Sequence, residues 1–233
     1  MLALLYLSTM KTCMPSSVKW LLAICFLMVC SGIQAHTIDY DLASLSKTGV
    51  GWVYLKLGFT HILPLGLDHI LFVLSLYFLS PKLSTVLWQA SAFTVAHSIT
   101  LGLAVYGIIK PLPSVIEPII ALSIFFVAIE NILVQQLKPG RILIVFLFGL
   151  VHGMGFAGAL TQVGLPQSAY AICLISFNLG VELGQIAVIL FAYFLVGRWF
   201  SDRSWYRARV VTPVSAMIAL IALYWTIERT FLV

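Results

Sequence analysis

The feature that most constrains this chain is a succession of long apolar runs, with only short turns between them. A hydrocarbon core of ~30 Å takes about 20 apolar residues to cross as a helix. Runs of that order are predicted over about 64–79, 85–109, 114–136, 142–163, 169–196 and 210–230. The turns carry Pro, Gly and basic residues: Ser80-Pro81-Lys82, Lys110-Pro111-Leu112-Pro113, Lys138-Pro139-Gly140-Arg141 and Gly164-Leu165-Pro166. Composition agrees, with 61% hydrophobic residues, 9% charged residues and a mean hydropathy of +1.07. These values exclude a soluble domain. The ten-residue alternating segments of a β-barrel are absent. The expected fold is all-α: a polytopic membrane protein with a bundle of six transmembrane helices.

The N-terminal 35 residues read as a cleaved signal peptide, so the domains are 1–35 (signal) and 36–233 (six-helix transmembrane domain). Lys11 and Lys19 precede an apolar core from Trp20 to Val29, and Ser31-Gly32-Ile33-Gln34-Ala35 supplies small residues for cleavage. The alternative is an uncleaved first helix, although the core is short for a span. Met1 to Met10 is unusually apolar for the head of a signal, and a start at Met10 or Met14 gives a more ordinary one. Residues 47–57, with Trp52, Tyr54 and Lys56, read as an interfacial amphipathic segment.

Cleavage removes Cys13, Cys25 and Cys30 and leaves Cys173 alone, so no intramolecular disulfide is expected. Met154 and Met217 are the methionines that stay. A soft Cu(I) site of Cys and Met is therefore not supported. Any metal site would use imidazole, carboxylate and amide.

Loop charge orients the bundle. One side holds Lys82, Lys138, Arg141, Arg198, Arg203, Arg207 and Arg209; the other holds Lys47, Lys56, Lys110 and Arg229. The bias places the richer side in the cytoplasm. Both termini are then periplasmic, for a multi-pass protein of a bacterial inner membrane. The formal charge of +5 is small and sits in loops, and no nucleic-acid motif is present.

Against this apolar background the ionisable groups stand out. Charged side chains at mid-bilayer cost about 2.5 kcal/mol or more, so they usually face a partner or a polar cavity. His61, His69, His97 and His152 lie in or at predicted helices, with Asp68, Glu130, Glu182, Asn131, Asn178 and Gln185. Asn178, Glu182 and Gln185 form one stripe at helical spacing. Gly149 and Gly153 form a GxxxG that lets neighbours approach His152. A single buried His is more often a hydrogen-bonded core residue than a ligand. Groups spread over several helices converge only if the bundle interior is polar.

Imidazole and carboxylate without thiolate suit Ni²⁺, Co²⁺, Zn²⁺ or Mn²⁺. The candidate metal ligands are His36, His61, Asp68, His69, His97, His152 and Glu182, with Glu130, Asn131, Asn178 and Gln185 behind them. His36 would be the mature N-terminus, where an amine and an imidazole share one residue. His61 and Asp68 lie nearly on one face if their helix is continuous through Pro64, whereas Asp68 and His69 point about 100° apart. Asp68 is a ligand or the buttress of an imidazole.

The stretch from His61 to Phe72 (His61-Ile62-Leu63-Pro64-Leu65-Gly66-Leu67-Asp68-His69-Ile70-Leu71-Phe72) resembles the signature of HupE/UreJ membrane proteins. Phe93 to Leu101, His152 to Ala157 and Phe177 to Gln185 resemble further blocks of that family's second branch, in the same order. The resemblance implies six spans, a cleaved signal, outer termini and nickel or cobalt entry. Hydrogenase-type relatives often begin with a His-rich stretch, where this chain has only His36.

Three functions are open to such a chain. The first is a permease or facilitator for a divalent transition metal, nickel before cobalt. No nucleotide-binding motif is present, so no ATP drives it. The second is an intramembrane metal-dependent hydrolase built on the same cluster, although HExxH and GxSxG are absent. The third is a non-transporting assembly or sensor subunit. The expected partners are the metal ion and the bilayer; no organic cofactor is expected, and a homo-oligomer is left open.

Overall fold

The computed structural model describes residues 45–80, 82–138, 140–163 and 169–232. The signal segment 1–35 and His36 lie outside the described residues. Among the described residues all regular structure is helical. The helices are α1 (Lys47–Ile62), α2 (Leu67–Leu79), α3 (Leu83–Val105), α4 (Pro113–Leu133), α5 (Arg141–Val163), α6 (Tyr170–Ala192) and α7 (Thr212–Phe231). A π-helical stretch, Tyr193–Gly197, and a short helix, Arg198–Phe200, extend α6; a second π stretch, Arg207–Val211, leads into α7.

Four of these helical stretches are long and apolar enough to cross a membrane: Pro113–Leu133, Arg141–Thr161, Tyr170–Phe200 and Arg207–Phe231. The bent pair α1 and α2 makes a fifth when taken as one span. The expected fold is met in this coarser form. The Leu83–Val105 helix is long enough but is not among them. Its buried Gln89, Thr94, His97 and Thr100 lower its apolarity.

The expected first helix departs most from what forms. Residues 47–57, expected as an interfacial segment, are helical and pack one face on the bundle. They are the first turns of α1, with Ser46 as N-cap accepting from the Gly49 amide at 3.2 Å. Val50, Tyr54, Gly58 and Ile62 recur every four residues and are buried. The chain then breaks at residues 63–66, through a cis Leu63–Pro64 peptide, and turns by 67° into α2. His61 and Asp68 are therefore not on one helix face.

Glycines draw two pairs of helices together. A Cβ on Gly58 would overlap the Phe177 carbonyl, and one on Gly180 the Leu55 carbonyl, so α1 and α6 touch backbone to backbone. Gly149 and Gly153 lie in the same way against Phe93 and His97 of α3. In both pairs the partners run in the same direction. Small residues permit this approach without side-chain loss. Gly158 has no neighbour within 4 Å of such a Cβ, so the small surface of α5 ends before it.

Side-chain bonds join the remaining helices. Asn131 Nδ2 on α4 donates to the Ser75 carbonyl of α2 at 2.8 Å and to Ser215 Oγ of α7 at 3.3 Å. Arg207 caps α4 through the carbonyls of Asn131, Ile132 and Val134, at 2.9, 3.2 and 2.7 Å. At the opposite end of α4, Arg229 of α7 reaches the Glu117 carbonyl. Thus α4 and α7 are antiparallel, and the bundle has an Arg207 end and an Arg229 end.

Candidate metal centre

Four imidazoles meet in the middle of the bundle. His61 is the last residue but one of α1 and His69 lies in the first turn of α2. The bend between those helices sets their ring centroids 4.7 Å apart. His97 of α3 lies 5.8 Å from His69, and His152 of α5 lies 5.0 Å from it on another side. His69, His97 and His152 are 6%, 0% and 1% exposed.

Hydrogen bonding determines which nitrogen each ring presents. Asn178 uses its Nδ2 on the Leu174 carbonyl at 2.8 Å, which leaves Oδ1 as an acceptor. His97 Nδ1 lies 3.2 Å from that oxygen and must donate to it. Its Nε2 then carries a lone pair. Ser123 Oγ gives its proton to the Ile120 carbonyl at 2.7 Å, so it can only accept from His152 Nε2 at 2.9 Å. His152 Nδ1 is left with the lone pair. A partner behind an imidazole in this way fixes its tautomer and raises its basicity.

The result is a set of unpartnered buried nitrogens: Nε2 of His61, His69 and His97, and Nδ1 of His152. The ligating nitrogens of His61, His69 and His97 all lie within 4.8 Å of one another. Metal–imidazole bonds of ~2.0–2.1 Å require a closer set, so the rings would move inward by about an ångström on binding. Phe156 stands 3.9 Å from His61, and Phe93 and Phe72 stand 5.0 and 5.2 Å from His152. These aromatic walls exclude water and sharpen any electrostatic interaction inside.

The carboxylates are elsewhere. Both oxygens of Asp68 lie 3.1 Å from Arg229 Nη2. Glu182, one turn along α6 from Asn178, accepts from Ser91 Oγ at 2.6 Å, and its second oxygen is buried without a partner. Gln185 Oε1 lies 3.1 Å from Thr94 Oγ1. Glu130 pairs with Arg141 at 3.4 Å, and Asn131 ties α4 to α2 and α7. Of the residues singled out in the sequence, the structure gathers His61, His69, His97, His152 and Asn178. It leaves Asp68, Glu182, Gln185, Glu130 and Asn131 outside that group.

Sequence reasoning missed Ser123 and Arg229. Ser123 stands alone in an apolar helix and nothing in its spacing marks it. Arg229 reads as one more basic residue at a helix end.

No curated protein and no solved structure matches the chain. Residues 40–229 match the family described as HupE / UreJ protein, which takes in the break at 63–66, all four imidazoles and their partners. With that match spanning nearly the whole of 36–233, the chain belongs to the HupE/UreJ family.

Proposed function

We propose that this protein is a multi-pass permease or facilitator for a divalent transition-metal ion, nickel first and cobalt next. The observation that carries the reading is the gathering of four imidazoles whose buried nitrogens, Nε2 of His61, His69 and His97 and Nδ1 of His152, have no partner among the described residues. Buried polar atoms without partners cost about 1–3 kcal/mol each, and a bound ion would offset that cost for several nitrogens at once. Family membership supports the same reading, because HupE/UreJ proteins are linked to nickel and cobalt transport.

In this reading the chain crosses the inner membrane six times after loss of residues 1–35, with both termini periplasmic. The bent α1 and α2 count as one pass and α3 as another. The ion is captured near His36, meets Asp68, and passes to His61, His69 and His97. His152 offers a fourth nitrogen. Glu182 provides a carboxylate on the way to the cytoplasm. Neutral imidazoles hold a borderline ion without trapping it as a thiolate set would. Zinc fits the same donors, so the ion is the first thing to measure.

The test is Ni²⁺ uptake, read by mass spectrometry, in cells stripped of other nickel importers. Wild-type protein should raise cell-associated Ni²⁺, and His97→Ala with Glu182→Gln should return it to background. Uptake unchanged in that double variant, with the protein present in the membrane, would sink the route. The hydrolase reading draws on one observation, a three-imidazole set with room for a further ligand. It predicts a stoichiometric Zn²⁺ that survives purification and dialysis, where a permease releases its ion.

A further inference from the structure

Asp68 is the acidic neighbour of the imidazole group and also the most exposed member of the bundle's ion pairs among the described residues. Its side chain is 29% exposed and that of Arg229 is 19% exposed. His69, the next residue, is 6% exposed. A cation arriving from the Arg229 end therefore meets this carboxylate before it meets imidazole. The carboxylate is already occupied by a cation of the protein's own.

The geometry of that contact is one of easy exchange. A guanidinium holds a carboxylate best through two parallel bonds from two nitrogens. Here one nitrogen, Nη2, serves both Asp68 oxygens at 3.1 Å, while Nη1 turns to the Glu117 carbonyl at 3.4 Å. Arg229 also has a second contact, made together with the one to Asp68. Its guanidinium carbon lies 5.3 Å from the centre of the Trp225 ring, one turn back on α7. Cation–π contact of this kind supports a guanidinium that has lost its carboxylate.

Among the described residues, the group of imidazoles whose nitrogens converge contains no carboxylate. A divalent ion held by neutral rings alone keeps its full charge in a low-dielectric space, which is costly. The exposed carboxylate beside His69 can neutralise part of it once Arg229 lets go.

Building on the permease reading, we propose that Arg229 is a resident cation that occupies Asp68 until an incoming divalent metal ion displaces it. Arg229 is thus a positioning residue that sets the affinity of the entrance. It holds the mouth electrically neutral at rest. It admits an ion of sufficient charge density to compete for the carboxylate, and a monovalent ion competes poorly. Displacement frees Asp68 to share the ion with His69 and leaves Arg229 against Trp225.

The test is Ni²⁺ binding to purified full-length protein by titration calorimetry, with thermal unfolding as the check on folding. Arg229→Gln should bind Ni²⁺ about three- to fivefold more tightly than wild type, the fold-change that a partly exposed ion pair supplies. Arg229→Lys should keep the wild-type affinity. In an Asp68→Asn background the effect of Arg229→Gln should vanish, because the two residues act through one contact. Should Arg229→Gln fail to fold, Arg229→Met keeps the stem beside Trp225 and carries the same comparison. A wild-type protein that binds Ni²⁺ with an Arg229→Gln affinity equal to or weaker than its own overturns the displacement and leaves the permease reading intact. So does a tightening that persists without Asp68. Wild-type protein that binds no Ni²⁺ overturns both.

Discussion

The centre of the bundle and its carboxylate sites are built on opposite terms. At the centre, four imidazoles are brought together and each keeps a buried nitrogen without a partner among the described residues. Around it, Asp68 has Arg229, Glu130 has Arg141 and Glu182 has Ser91. Each of these acids has a charged or polar partner at a helix end or crossing, whereas the imidazole nitrogens of the middle have none among the described residues. The contrast separates residues whose loss should unfold the protein from residues whose loss should only empty it.

The largest effect on stability is expected at Glu130. Arg141 is 2% exposed in its side chain, and among the described residues its ion-pair partner is Glu130, at 3.4 Å. Glu130→Ala leaves that guanidinium buried and uncompensated, which costs about 3–5 kcal/mol. Thermal unfolding in detergent should show it as a drop of many degrees. Adding Arg141→Leu should recover most of the loss, because the stranded charge goes too. If Glu130→Ala unfolds like wild type, the carboxylate sites are not the structural half of the comparison.

The centre should behave in the opposite way. His69→Ala removes the ring that lies within 6 Å of His61, His97 and His152. Ni²⁺ affinity should fall by about a hundredfold, more than the tenfold typical of losing a residue behind a ligand. Thermal stability without metal should not fall by more than about 1 kcal/mol, since no hydrogen bond of the His69 Nε2 is lost. A collapse in stability with metal affinity retained would make His69 a core residue.

How far this division was legible in the sequence depends on the distance over which each contact acts. The helices could be read because apolar runs and Pro-Gly-Lys turns are local. The imidazoles stood out because hydrocarbon rarely surrounds them. Pro64 signalled a break, but the packing of residues 47–57 on α6 did not show, since it rests on Gly58 and Gly180 meeting across more than a hundred residues. The partner of Asp68 is 161 positions away, and no spacing rule carries that far. Which nitrogen of His97 or His152 is free depends on a third group's own hydrogen bond, and one-dimensional pattern contains no such information. Glu182 and Asn178 shared a stripe on paper. One faces Ser91 and the other His97, because α3 crosses them at successive turns.

The smallest expected effect is the sharpest probe of the contrast, because it lies on the boundary between the two regions. Ser123 is a satisfied group that serves an unsatisfied one. It gives its proton to the Ile120 carbonyl and takes one from His152 Nε2. In Ser123→Ala the helix loses a back-bond worth about 1 kcal/mol or less. His152 loses the acceptor that keeps its proton on Nε2, and the proton can move to Nδ1, the nitrogen left free in the wild type. Ni²⁺ affinity should fall by about tenfold, as for loss of an outer partner of a ligand. Ser123→Thr restores an acceptor at the same depth and should recover the affinity. The free nitrogen can be watched directly by ¹⁵N chemical shift of labelled imidazole, which separates Nδ1–H from Nε2–H. A proton that stays on Nε2 in Ser123→Ala, with affinity unchanged, would mean that His152 needs no help to face the chamber. In that case the imidazole group is arranged by helix packing alone, through the glycines of α5 that hold it against α3.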